Sequence, residues 1–367
     1  MYLSPSVGGL WAVVVVFAAL TLWYLGTDQS LCIDKECVTG PWCSSHCALS
    51  ARVSCAFFRV PVRLDRGDYQ NEVLSRLRQL TERNLKGQRH VVESVIKDIA
   101  LKLAHPDKPL VLHFAGDNGV GKTTLAQLVS LVLAFNCRDA VCMVGDTTLV
   151  LSGVSYDGYS ASAFRRDVVQ KVVRHAAAFP RNGVVIINDL GALHPDLVRV
   201  LLPLLGRASV FPEAPQTPIN SLTVIITTDF GRQGRTQGKS LVEMRRIVED
   251  DFKSLYSHLS TSMIKTYPFL PVSLATAKEI VRLAISDYRC RHKDRIREIH
   301  LGEDVAAWFV DLVRDDLPME NGRSVVNAVT AAVGPGVLHH LLDTPAEPVS
   351  LRVDLDDNGS VTVLLVH

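Results

Sequence analysis

Apolar residues recur at helical spacing in two successive runs, Val73, Leu74, Leu77, Leu80 and then Val91, Val92, Val95, Ile96, Ile99, with Gly87 between them. The spacing predicts two helices over 69–104. A short apolar run from Pro109 to Ala115 then enters the glycine-bearing stretch GDNGVGKTT, and helical periodicity resumes from Leu125 to Phe135. That is a strand, a glycine loop and a helix. Further apolar runs at Ala140–Val144, Val184–Ile187 and Ser221–Thr227 alternate with helical stretches, the pattern of a parallel sheet covered on both faces. The predicted class is α/β. Beyond about residue 270 helices dominate, over Leu274–Arg289, Asp304–Arg314 and Ser324–Leu342, before two alternating runs around Asn358-Gly359 close the sequence with a hairpin signal. Asn358-Gly359-Ser360 is also a glycosylation sequon.

The amino-terminal pattern is different. Gly8 to Leu25 carries no charge and has Trp11, Trp23 and Tyr24 near its ends, where aromatic rings favour a membrane interface. A retained anchor, a cleaved signal and a buried core helix all fit this run, although no basic residue precedes Lys35. Five of the eight cysteines follow at once: Cys32, Cys37, Cys43, Cys47 and Cys55. Without a C-x-x-C pair they favour disulfides in an oxidising lumen over a zinc site, while lipidation and free thiols stay open. Cys137, Cys142 and Cys290 fall in predicted core elements, as expected of buried thiols.

Composition changes little. With 367 residues, 47% of them hydrophobic, the chain suits a globular protein of about two domains. A net charge of +1 supplies no global attraction to nucleic acid, and no nucleic-acid partner is expected. The expected parts are a hydrophobic anchor or signal over 1–30, a cysteine-rich segment over 31–65, a nucleotide-binding α/β domain over 66–270, and a small helical lid with a hairpin over 271–367.

Gly116 to Thr123 matches G-x-x-x-x-G-K-[ST] in full and stands between strand and helix, as the motif requires. Gly116, Asp117, Asn118, Gly119, Val120, Gly121, Lys122, Thr123 and Thr124 are therefore the candidate ATP-binding residues. Backbone N–H groups and the helix N-terminus face the phosphates, Lys122 neutralises them, and the Thr123 hydroxyl ligates Mg²⁺. The His339-His340 pair, on an apolar helix pattern, reads as helix surface or core, and the Ser and His positions form no hydrolase pattern.

The order of LxGQ (Leu85–Gln88), PLVLHFAGDNGVGKTT, VVIINDLGALHPDL, VIITTDFG, PFLPV (Pro268–Val272) and NGRSV resembles the AAA+ ATPases of the Clp and torsin clade over roughly residues 70–365. The amino terminus, the length, Pro203 and the PFLP segment look most like torsins, ATPases of the endoplasmic reticulum lumen and nuclear envelope. Alignment on His194-Pro195 puts the family's Asp-Glu pair on Asn188 and Asp189, and its next-strand Asn on Asp229. The resemblance implies that Asn188 or Asp189 holds Mg²⁺ through water, that Asp189 orients the attacking water, and that a carboxylate lost at 188 is regained at 229. It further implies that Arg323 reaches the γ-phosphate. Where Clp proteins carry a finger arginine this chain has Ser260, Thr261 and Ser262, so a membrane-bound activator would supply one in trans. SYDGYSAS resembles the Clp loop that grips protein substrates, with Tyr156 at the gripping position, although an exposed Tyr-Gly turn fits as well. Three functions follow: a slow, partner-activated ATPase that remodels proteins, a nucleotide-locked scaffold, and a ring-forming unfoldase.

Overall fold

The computed structural model describes residues 66–138, 141–144, 147–229, 236, 238–255, 263–292, 294–343 and 348–366. The apolar segment 8–25, the cysteine cluster 32–55 and the serine-threonine stretch 260–262 lie outside the described residues.

The chain divides into two compact units, 1–69 with 135–145, and 70–134 with 146–367. In the first, β2 (Phe135–Arg138) and β3 (Val141–Val144) pair antiparallel, with Cys137 opposite Cys142. The apolar run at 140–144 is thus a hairpin strand rather than a member of the parallel sheet. Apolar content marks a strand but does not choose its partner.

The second unit holds the main sheet. Its strands are β1 (Leu110–Ala115), β4 (Thr148–Ser152), β5 (Val184–Asn188), β6 (Thr223–Thr228) and β7 (Ile264–Pro268), in the order β4-β5-β6-β1-β7. Every neighbouring pair is parallel. Strands β1 and β6 are buried along their whole length, which explains why neither alternates between apolar and polar residues. Helices α1 (Arg66–Asn84), α2 (Arg89–Ala104), α3 (Lys122–Leu133), α4 (Ala161–Ala178) and α5 (Leu241–Leu255) accompany the sheet. The core on one side joins Val185, Ile187, Val224 and Ile226 to Phe164, Val168 and Val172 of α4.

The carboxyl-terminal part of this unit has its own core. Helices α6 (Leu274–Arg291), α7 (Val305–Leu312) and α8 (Gly322–Asp343) pack on a sheet of β8 (Ile296–Leu301), β9 (Val349–Leu355) and β10 (Val361–Val366), ordered β10-β9-β8. The lid expected to be helical before its hairpin therefore contains a third strand, β8. Its sequence, IREIHL, reads poorly as a strand because only Ile296 is buried while three of its six residues are exposed. The hairpin forms as expected: Asp356 Oδ1 accepts from the backbone N–H groups of Asn358 and Ser360, and Gly359 takes φ +73°. His339 lies 3.3 Å from Asp343, and His340 Nε2 lies 2.8 Å from the Val363 carbonyl oxygen, so both serve the lid surface.

Cys290, near the end of α6, is buried as expected, but it is disulfide-bonded rather than a thiol. Arg83 Nη2 donates to its Sγ at 3.2 Å.

Candidate nucleotide site

Parallel register brings the carboxyl ends of the strands to one edge, with Ala115 level with Thr228 and Pro268, the edge at which open α/β sheets bind ligands. The loop 116–121 leaves β1 there and enters α3 at Lys122. Two glycines are required by space as well as by conformation. A Cβ on Gly119 (φ +72°) would stand 2.0 Å from the Glu320 carbonyl oxygen, and one on Gly121 (φ +100°) would stand 2.3 Å from Leu85 Cδ1. Gln88, from the LxGQ segment, clamps the far side: its amide donates to the Leu270 carbonyl and accepts from the Leu270 N–H.

Lys122 is almost wholly buried at the head of α3. Its Nζ donates to the carbonyls of Gly116 (3.0 Å) and Asp117 (2.6 Å) and forms an ion pair with Asp229 Oδ1 at 2.5 Å. Burial lowers the lysine's pKa, and Asp229 opposes that shift. Asp117 is also buried, and neither of its carboxylate oxygens finds a hydrogen-bond partner among the described residues. Desolvation raises its pKa, and Asp229 adds to the rise while Lys122 opposes it.

Asn188 ends β5 as the alignment expects, and Asp189 follows in the left-handed region at φ +54°, ψ +57°. A non-glycine residue held there marks a site fixed by its surroundings. Thr227 on β6 does much of the fixing, donating from Oγ1 to Asn188 Oδ1 (2.9 Å) and accepting from the Asp189 N–H (3.0 Å). Gly153 does the rest, because a Cβ there would meet the Asp189 carbonyl oxygen at 2.2 Å. Thr123 Oγ1 donates to Asn188 Oδ1 at 3.1 Å, and Asn188 Nδ2 donates to Asp189 Oδ2 at 3.1 Å. The Asp189 pKa is raised, first by burial and then by Asp229, against the pull of Lys122 and Arg323.

The structure therefore brings Lys122, Thr123, Asn188, Asp189 and Asp229 to one place, with exposed Arg323 within electrostatic reach of Asp189. These residues fit Mg²⁺-ATP: a lysine at the turn of the loop, an exposed hydroxyl at the start of a twelve-residue helix, and carboxylates on the two neighbouring strand ends. Tyr156 stands apart from them. It is only 6% exposed, its ring meets Phe164 edge-on at 4.7 Å, and its hydroxyl donates to Asp167 at 2.9 Å. The exposed aromatic residue of that segment is Tyr159. Sequence reasoning passed over Thr227 and Asn321, which hold the site from behind.

No family model matches the chain. It is 20% identical over 282 residues to the chaperone protein ClpB of Vibrio vulnificus, covering 72% of this chain and 32% of that one. The ClpB of Malacoplasma penetrans is 22% identical over 273 residues, or 70% of this chain and 36% of the relative. A ClpA homologue from Trieres chinensis, an ATP-dependent Clp protease ATP-binding subunit, is 27% identical over 178 residues, 45% of this chain and 19% of its own length. The chain is thus weakly similar, at 20–27% identity, to AAA+ proteins of the Clp clade. It spans about a third of the length of the ClpB chaperones it matches. Its five-stranded parallel sheet with flanking helices and a smaller domain is the α/β AAA+ arrangement.

Proposed function

We propose that this Clp-clade protein binds Mg²⁺-ATP, hydrolyses it slowly and uses the cycle to remodel proteins or their assemblies. The reading is carried by the convergence of Lys122, Thr123, Asn188, Asp189 and Asp229 on one sheet edge. Lys122 exchanges Asp229 and two loop carbonyls for phosphate oxygens. The Thr123 hydroxyl, now donating to Asn188, would help hold Mg²⁺, which when bound would supply neutralisation of phosphate charge. Asp189 orients the attacking water and holds its proton, a role that suits a carboxyl whose pKa is raised by burial. Arg323 reaches toward the γ-phosphate. Asn188 would bring no charge to the metal, which favours slow turnover.

Similarity to chaperones favours protein substrates and a ring of copies. The burial of Tyr156 argues against it as a gripping residue, and the exposed ring of that segment is Tyr159. A second reading places the protein with torsins in the endoplasmic reticulum lumen or nuclear envelope, anchored through 8–25 and activated by a membrane-bound partner's arginine. The disulfide at Cys290 favours it, since such bonds persist in oxidising compartments.

The test is nucleotide binding by calorimetry together with phosphate release, with and without membrane extract. Lys122→Ala should abolish both signals, and Asp189→Asn should keep binding and lose release. Binding with no release under any condition would instead identify a nucleotide-locked scaffold.

A further inference from the structure

One short stretch of the lid, Glu320–Arg323, touches the phosphate loop. Asn321 within it is completely buried and holds φ +49°, ψ −131°, a conformation natural to glycine. Its amide is used at both ends. Nδ2 donates to the Asn118 carbonyl at 2.9 Å, and Oδ1 accepts from the Val272 N–H at 2.9 Å. Beside it the Gly322 N–H donates to the Gly119 carbonyl at 3.2 Å. Val272 belongs to the segment joining β7 to α6, so Asn321 ties the phosphate loop, the interdomain segment and the start of α8 together.

A peptide unit is planar and trans, so its C=O and N–H point in opposite directions. Drawing the carbonyls of Asn118 and Gly119 toward the lid therefore turns the N–H groups of Gly119 and Val120 away from it. In a loop of this kind that is the direction of the phosphates. We infer that Asn321 is a positioning residue, which holds these peptide planes ready for phosphate and makes lid order depend on loop occupancy. The coupling is reciprocal: whatever fixes the loop fixes α8, and a free lid weakens binding. This inference rests on the nucleotide reading above.

Two substitutions test it. Asn321→Gly keeps the backbone conformation and removes both side-chain bonds. Asn321→Asp keeps the acceptor for Val272 but cannot donate to Asn118. Hydrogen exchange with and without Mg²⁺ and ATPγS reads the loop (116–123) and the lid helix (322–333) separately, and calorimetry reads affinity. Wild-type protein should gain protection in both regions. Each variant should bind at least tenfold more weakly and, at saturating nucleotide, protect the loop but not the lid helix. Lid protection equal to wild type in either variant overturns the coupling and leaves nucleotide binding intact. Wild-type protein without nucleotide-dependent loop protection removes the binding reading and the coupling with it. If the nucleotide-free Asn321→Gly and Asn321→Asp proteins both melt more than about 10 °C below wild type, the contact is structural and the inference also fails.

Discussion

Lys122 Nζ lies 2.5 Å from Asp229 Oδ1, so the residue that should neutralise phosphate is already neutralised by a carboxylate on the adjacent strand. Incoming phosphate has to displace that partner, and the displaced carboxylate stays close enough to repel the newcomer. Lys122 is buried but Asp229 is 36% exposed, and a pair open to water on one side contributes about 1 kcal/mol. Asp229→Asn should therefore bind nucleotide roughly fivefold more tightly, measured by calorimetry in the absence of Mg²⁺. Unchanged or weaker affinity would show that the pair does not compete with phosphate.

Asn188 accepts hydroxyl hydrogens from both Thr123 and Thr227 at Oδ1, and a carboxylate could accept the same two. Asn188→Asp thus keeps those bonds while adding negative charge where Mg²⁺ is expected. It loses the donation from Nδ2 to Asp189 and sets two carboxylates side by side. The expected outcome is phosphate release raised by roughly tenfold with a steeper dependence on Mg²⁺, and Asp189→Asn in the same background should lower it by about a hundredfold. A doubly carboxylated site that releases phosphate no faster would locate the defect elsewhere.

Asp117 gives the site a pH dependence of known sign. Burial raises its pKa in the folded state above the ordinary aspartate value of 3.8, with Lys122 opposing the rise and neighbouring Asp229 adding to it. The folded protein therefore binds more protons than the unfolded chain as pH climbs from that value. The carboxyl's contribution to stability is full below it and is lost as pH rises through the folded pKa. Asp117→Asn should remove that loss, so the variant's stability relative to wild type should increase from pH 4 to pH 8 in urea unfolding. A difference that stays constant across this range would mean the carboxyl has the same pKa in both states.

The site was legible in the sequence wherever a motif fixes spacing. Loop, lysine and threonine follow from the glycine pattern, and Asn188, Asp189 and Asp229 from the order of motifs after it. The residues that hold them were not. Thr227 is one of three threonines in β6, and its role depends on β5 lying beside β6, a pairing that no local pattern encodes. Asn321 looks like an ordinary helix-start residue; its importance comes from a carbonyl 203 positions away. Periodicity likewise found the buried strands β1, β5 and β6. It missed β8, which buries one residue of six, and gave β3 to the wrong sheet, because hydrophobicity reports burial and says nothing about pairing.

Tyr156 supplies the sharpest difference between a motif and its setting. Its ring is packed edge-on against both Tyr159 and Phe164, and its hydroxyl joins Asp167 and Lys171 of α4. Burial raises the phenol's pKa, and the bond to Asp167 adds to the rise, so the hydroxyl keeps its proton and remains a donor. A residue bound in this way should act on stability. Tyr156→Phe leaves Asp167 with Lys171 as its partner and should cost about 1 kcal/mol, whereas Tyr156→Ala opens a cavity beside Phe164 and should cost about 3–5 kcal/mol. Tyr159→Ala, at an exposed ring, should stay within about 0.5 kcal/mol of wild type. Urea unfolding of the three variants decides the matter. A Tyr156→Ala protein as stable as wild type would mean that the ring leaves its pocket in solution and is free to meet a partner.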